Sequence, residues 1–387
     1  MEVKLGDIFE IGSGGTPSKR HPEYYDGNIP WVKTGDLKTT YLYNVEDFIT
    51  EDGLSNSSVK MYEPNTVLIA MYGATIGAAS ILKINACTNQ ACAAFKPNDK
   101  VKPEYLYYFL RSKRNKFVKD GVGGAQPNIS VGYLKKVSME LPEIKEQDEI
   151  VNILDKVSDV VEMRTKEIEN LDELIKARFV ELFGDVENNP FSWEKTKIGA
   201  VIQSCEAGWS GNGAQREKRD GEVAVLKVSA VTKGYFIPEE CKVLDDQRNI
   251  KKYIFPEKGD LLFSRANTRE MVGATAIVTQ DYPEHILPDK LWKIRFTDVA
   301  DAYYMKYVLS SNSIRSMFSA VSTGTSGSMY NVSMEKFKSI TIPLPPRELQ
   351  NQFASFVEAT AKSKVAVQKA LDETQLLFDS LMQKYFG

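Results

Sequence analysis

The sequence predicts an α/β (α+β) protein with an internal two-fold repeat: two similar globular domains separated by two long helices that form an antiparallel coiled coil. Three observations predict it. Residues 146–183, near the middle of the 387-residue chain, contain neither proline nor glycine. Segments of the first half recur in the second, several of them at a single offset of 203 positions. In both halves, short apolar runs bounded by turn residues precede an aromatic helix-like stretch and a glycine-rich loop.

The central stretch carries apolar residues at Ile150, Leu154, Val157, Val161, Ile168, Leu171, Ile175 and Leu182. That 4-3-4 rhythm is a heptad seam, broken at Arg164 and Arg178. A continuous helix of this length spans about 57 Å at 1.5 Å per residue. The repeat offset predicts a second such helix over 347–386, with Phe353, Val357, Val367, Leu371, Phe378, Leu381 and Tyr385 on its seam. Neither helix buries its stripe alone, so the simplest solution packs one against the other. Each helix leads away from its own block, so antiparallel pairing is expected to place the blocks at opposite ends of a rod. Val367 and Leu381 stand where the first helix has its two arginines. An intramolecular partner therefore accommodates each arginine once, whereas a homodimer would accommodate both twice.

The repeat also orders the blocks. Asn128-Ile129-Ser130 recurs as Asn331-Val332-Ser333, Leu141-Pro142 and Gln147 as Leu344-Pro345 and Gln350, and Phe183-Gly184 as Phe386-Gly387. Earlier pairs, such as Lys4-Leu5-Gly6 with Lys197-Ile198-Gly199, align at slightly shorter offsets. Four regions follow: globular blocks over 1–142 and 186–345, and long helices over 143–185 and 346–387. Each block is expected to begin with a short amphipathic helix, 4–11 in the first. Strands follow at 31–33, 66–71, 77–82 and 92–95, with counterparts at 223–228, 260–264, 274–279 and 291–296. Single aromatic helices are expected over 103–119 and 302–319.

Composition excludes several classes. No run of 18 apolar residues exists, and the start MEVKLGDIFE lacks a basic segment followed by an apolar one, so a cytoplasmic protein without membrane spans is expected. The four cysteines and two histidines show no metal-binding spacing, and buried free thiols are the expectation. No GxxxxGK[ST], GxGxxG, GxSxG or HExxH motif is present, and nothing marks an enzyme. Net charge is −3, unevenly spread. Residues 143–185 hold 6 Lys+Arg against 13 Asp+Glu, while residues 1–142 hold 17 against 15 and residues 186–345 hold 21 against 19. The acid lies on the rod, and both blocks can present local positive faces.

Polar and glycine-rich loops recur at equivalent places in the two blocks. Glycine lets backbone approach a ligand closely, Lys and Arg neutralise phosphates, and Gln, Asn and Arg can make bidentate contacts to base edges. The candidate nucleic-acid-binding residues of the first block are Lys19, Arg20, Lys33, Thr34, Tyr72, Thr75, Gln126 and Asn128. Those of the second are Lys227, Ser229, Arg265, Asn267, Arg269, Ser328, Tyr330 and Asn331. Lys19, Arg20, Lys33, Lys227, Arg265 and Arg269 are expected mainly on phosphates, and Gln126, Asn128, Asn267 and Tyr330 nearer bases. Ordinary turns are the bland alternative, but four such loops in each repeat suit two related binding surfaces with divergent tips.

Taken together, the order of motifs resembles the DNA specificity subunit of type I restriction-modification systems over the whole chain. The resemblance rests on the opening Lys4-Leu5-Gly6-Asp7, the turn Gly14-Gly15-Thr16-Pro17 and the strand Ile29-Pro30-Trp31. It also rests on Leu141-Pro142 and Leu344-Pro345-Pro346 before the long helices, and on the junction Phe183-Gly184-Asp185…Asn189-Pro190…Trp193. It implies that each block is a target-recognition domain reading half of a bipartite site in double-stranded DNA. The helices would set the spacer and dock two methyltransferase subunits, with restriction/translocase subunits joining for cleavage. No cofactor is expected on this chain; S-adenosylmethionine, Mg and ATP would belong to partner subunits. A coiled-coil interaction scaffold without DNA binding is the alternative reading.

Overall fold

The computed structural model describes residues 1–121, 128–219, 221–321 and 330–387. They form two compact units, Met1–Lys166 with Gln368–Gly387, and Glu167–Val367. The serial division at 142, 185 and 345 keeps each long helix whole, whereas compactness shares each helix between both units. Apolar stripes explain the difference, because each helix segment is buried by the block beside it.

The first unit is built on a five-stranded sheet in the order Ile11–Ser13, Cys92–Phe95, Val67–Ala70, Ala79–Leu82 and Tyr41–Leu42, with only the last pair parallel. A four-stranded sheet of Phe48–Ile49, Tyr25–Val32, Ala86–Thr88 and Met61–Tyr62 joins it. Strands Val67–Ala70 and Cys92–Phe95 are buried at every residue, which is why they read as continuous apolar runs. Tyr105, Leu106 and Tyr108 of the helix Pro103–Ser112 seal one core with Ile150 and Leu154 of the first long helix and Phe378, Met382 and Phe386 of the second.

The second unit repeats the plan. Its main sheet runs Ile202–Ala207, Leu291–Phe296, Leu261–Ser264, Thr275–Ile277, all antiparallel. Its smaller sheet runs Gly213–Ala214, Cys241–Leu244, Ala224–Leu226, His285–Ile286. Ile175, Phe179 and Phe183 meet Phe353, Val357 and Tyr304 in its core.

Both long helices form as expected, Ile144–Phe183 and Arg347–Phe386, 40 residues each. Within each unit their segments run antiparallel. In the first, Arg164 donates to the carbonyl of Ala370 and the hydroxyl of Thr374, so the interrupting arginine is absorbed by helix backbone and a threonine. In the second, Lys364 Nζ reaches both oxygens of Asp172 at 2.7 and 2.6 Å. Ile150, Leu154, Ile175, Phe353, Val357 and Phe378 are buried. Val157, Val161, Ile168, Leu171, Leu182, Val367, Leu371 and Leu381 are half-buried.

Four expectations need correction. The seam does not break at Arg178. It steps from Ile175 to Phe179 to Phe183, and Arg178 turns aside to Glu181 at 2.7 Å. Docking drives this step, since Phe179 stacks on Tyr304 with centroids 5.9 Å apart. The helix expected at 4–11 covers only Leu5–Ile8, flanked by strands Glu2–Lys4 and Ile11–Ser13. Each single aromatic helix is two, Pro103–Ser112 with Arg114–Asp120 and Ala302–Ser310 with Asn312–Val321. The turn lets the fully buried Phe117 and Phe318 reach the core. All four cysteines are free, but only Cys87 and Cys92 are buried; Cys205 and Cys241 are half-buried.

Candidate nucleic-acid interface

In the second unit, contacts link most of the predicted residues into one strip. Asn267 pairs with Tyr330 and Ala266 with Asn331 across a short antiparallel ladder, and Val332 N donates to Arg265 O at 2.9 Å. Arg269 is exposed beside them. Arg265 turns inward, its Nε donating to Asp289 O at 2.8 Å and its Nη2 lying 3.9 Å from Asp289 Oδ2. Ser210 Oγ in turn donates to Asp289 Oδ1 at 2.5 Å, which brings the 209–216 loop onto the same strip.

Lys227 and Ser229 form a neighbouring group. Both donate to Glu240 Oε2, at 2.8 and 2.5 Å, and these bonds hold the Glu240 carboxyl below the usual range, Lys227 contributing most. Lys227 also lies 3.3 Å from Gln215 Oε1.

The first unit carries the equivalent arrangement in a more neutral form. Tyr72 bridges Asn128, Thr75 Oγ1 donates to Tyr72 O at 3.1 Å, and Ile129 N donates to Met71 O at 3.0 Å. Tyr72 and Asn128 are exposed, as are Lys19 and Arg20 in a turn closed by His21 N on Ser18 O. Lys33 is held by Asp47 at 2.5 Å and lies over the Trp31 ring. Thr34 begins the adjoining 3-10 turn Thr34–Asp36. Gln126 and Ser328 lie outside the described residues.

Lys33, Lys227 and Arg265 are thus engaged by local carboxylates or carbonyls. Among the predicted phosphate anchors, Lys19, Arg20 and Arg269 are the exposed ones. Gln90 and Asp289, which occupy equivalent positions, are not among the sequence-predicted residues. Thr16 donates to Gln90 as Ser210 donates to Asp289. Each partner is more than 70 positions away in the chain, so no local pattern reveals the bond.

A cleft of about 1060 Å³ in the first unit does not suit a polyanion. Lys38, Arg111 and Arg114 on its block rim face Asp155, Asp159 and Glu162 of the long helix. Like-signed charge is needed along such a track, and here the signs oppose.

The sequence model described as "Type I restriction modification DNA specificity domain" matches residues 1–173 and 190–374, one copy for each half of the chain. The chain belongs to the type I restriction-modification DNA specificity family. One relative in this family is the MjaIX specificity subunit of Methanocaldococcus jannaschii, 26% identical over 98% of this chain and 91% of that protein. The fold is similar to the S subunit of the type I system from M. genitalium, with a TM-score of 0.57, 15% identity and coverage of 100% of this chain and 96% of that one. A chain solved in a study of complex assembly and conformational transition of the type I system gives a TM-score of 0.58 at 16% identity, covering 100% and 97%. Both matched copies of the specificity domain include a strip described above, so the repeat seen in the residues is a repeat of the family's own domain.

Proposed function

We propose that this chain is the DNA-recognition subunit of a type I restriction-modification complex and has no catalytic role of its own. The observation that carries the reading is the double match to the DNA specificity domain, laid over two units with equivalent polar strips. Each unit reads one half of a bipartite duplex target. Exposed Lys19, Arg20 and Arg269 act on phosphates, which positions the protein, while Tyr72, Asn128, Asn267 and Tyr330 face bases, which specifies the sequence.

The long helices set the spacer between half-sites and dock two methyltransferase subunits. Restriction/translocase subunits complete the nuclease. S-adenosylmethionine, Mg and ATP reside on those partners, and the assembly works in the cytoplasm. Among the described residues no helix is long and apolar enough to cross a membrane.

Retention of the complex with its methyltransferase on duplex DNA, measured against salt, tests the reading. The logarithm of the binding constant should fall linearly with the logarithm of the salt concentration, because each neutralised phosphate releases counterions. Absence of retention at low salt would favour the protein-scaffold alternative.

A further inference from the structure

Gln90 and Asp289 stand at the same place in the two units. Gly14 and Gly208 make the place possible: a Cβ on either would lie 1.8 Å from a backbone carbonyl, Thr88 O or Leu287 O. With no side chain there, each loop lies flat on the strand end, and Gly15 N and Trp209 N donate to those same carbonyls at 2.9 Å. The next residue in each loop, Thr16 or Ser210, then reaches over and donates its hydroxyl to Gln90 Oε1 or Asp289 Oδ1.

The residue behind the position differs between the units. Met71 N accepts this role in one unit by donating to Ala91 O at 2.8 Å, and Arg265 N in the other by donating to Lys290 O at 3.0 Å. The Met71 side chain is neutral and buried in the core of its unit. The guanidinium of Arg265 accompanies the carboxylate of Asp289, whose side chain remains 48% exposed. One hydroxyl tether therefore presents two different chemistries, an amide group and a carboxylate oxygen.

Resting on the proposed DNA reading, we infer that Gln90 and Asp289 are equivalent specificity-determining residues, one for each half-site. Asp289 Oδ1 is occupied by Ser210, and Oδ2 is left to accept from an exocyclic amino group, which in the major groove belongs to cytosine or adenine. Gln90 Oε1 is occupied by Thr16, and its Nε2 is left to donate to an acceptor edge, N7 or O6 of guanine, N7 of adenine or O4 of thymine. A carboxylate beside phosphates opposes sequence-independent attraction, so Asp289 contributes to binding only through such a base contact. Arg265 accordingly orients Asp289 and is not an anchor on phosphate.

The test is adenine-methylation sequencing of the host genome carrying the wild-type gene, Asp289→Asn, or Gln90→Glu. Asn keeps the shape and an acceptor for Ser210, while its amide replaces the second carboxylate oxygen. For Asp289→Asn, one position in one half-site should lose its preference for an amino-bearing base by about tenfold or more, with the other half-site unchanged. For Gln90→Glu, the change should fall in the other half-site alone. An unaltered motif at full methylation overturns the inference, and so does a uniform fall in methylation with no change of motif. Failure of the DNA reading itself looks different, because the wild-type gene would then leave no motif to alter.

Discussion

Gln147 and Gln350, 203 positions apart, are both fully buried and make the same three hydrogen bonds. Gln147 Oε1 accepts from Lys102 N and its Nε2 donates to Lys100 O and Pro142 O, each at 2.9 Å. Gln350 does likewise with Asp301 N, Val299 O and Pro345 O, at 2.7 to 3.0 Å. Each glutamine ties the start of the aromatic helix to the entry of the long helix that follows. Replacing either by leucine leaves a buried N–H and two carbonyls without partners. Such a change should cost about 1–3 kcal/mol, seen as a lower unfolding midpoint, and Gln147→Leu should affect protection of amide hydrogens mainly in the first unit.

The ion pair of Asp172 with Lys364 occurs once. At the repeat-related positions stand Gln375 and Val161, so the pair favours the first helix against the second over either helix against a copy of itself. Its side chains are 49% and 30% exposed, which limits its worth to about 0.5–1 kcal/mol. Asp172→Lys should destabilise the second unit, and Asp172→Lys with Lys364→Asp should recover most of the loss in a double-mutant cycle. No recovery would mean the pair is incidental.

Salt dependence separates the candidate phosphate anchors. Lys19→Ala, Arg20→Ala and Arg269→Ala should each reduce the salt slope of DNA binding by about one unit, uniformly across sequences. Lys33→Ala and Lys227→Ala should change it less, because Asp47 and Glu240 already hold those ammonium groups. Equal slopes in all five variants would remove the assignment.

Burial lowers Lys306 to about 8, with the nearby Lys364 acting in the same direction and Asp172 opposing. Between about 8 and the ordinary lysine value near 10.5, the unfolded chain holds the extra proton and the folded one does not, so this group contributes more stability as pH rises through that window. Burial pushes Tyr304 and Tyr307 of the same helix upward, which acts against that contribution above about 10. Burial also pushes up the thiols of Cys87, Cys92 and Cys205, which removes stability from about pH 9 upward in both proteins. Denaturant titrations from pH 7 to 10 should therefore show the wild type gaining stability relative to Lys306→Met.

Much of this architecture is legible in the residues because packing demands periodicity. The heptads locate both long helices, and the single offset identifies the repeat. What the residues hide is decided by contacts distant in sequence. Phe179 and Phe183 take the end of the seam only because Tyr304 and Phe353 wait there. Lys33, Lys227 and Arg265 read as free cations until Asp47, Glu240 and Asp289 fold against them. Gln90 and Asp289 draw no attention in the chain, since their tethers lie 74 and 79 positions away.

The proposed spacer role of the helices has its own test. Inserting one heptad, about 10 Å, into each long helix should lengthen the tolerated gap by roughly three base pairs at 3.4 Å each. Retention of the original gap would mean that the helices do not set it.

The central claim is that this chain selects the DNA sequence its complex modifies. Single-molecule sequencing of methylated adenines in the host genome, with the gene intact and deleted, tests it most directly. The account predicts a methylated bipartite motif that disappears with the gene; an identical set of methylated sites in both strains would contradict it.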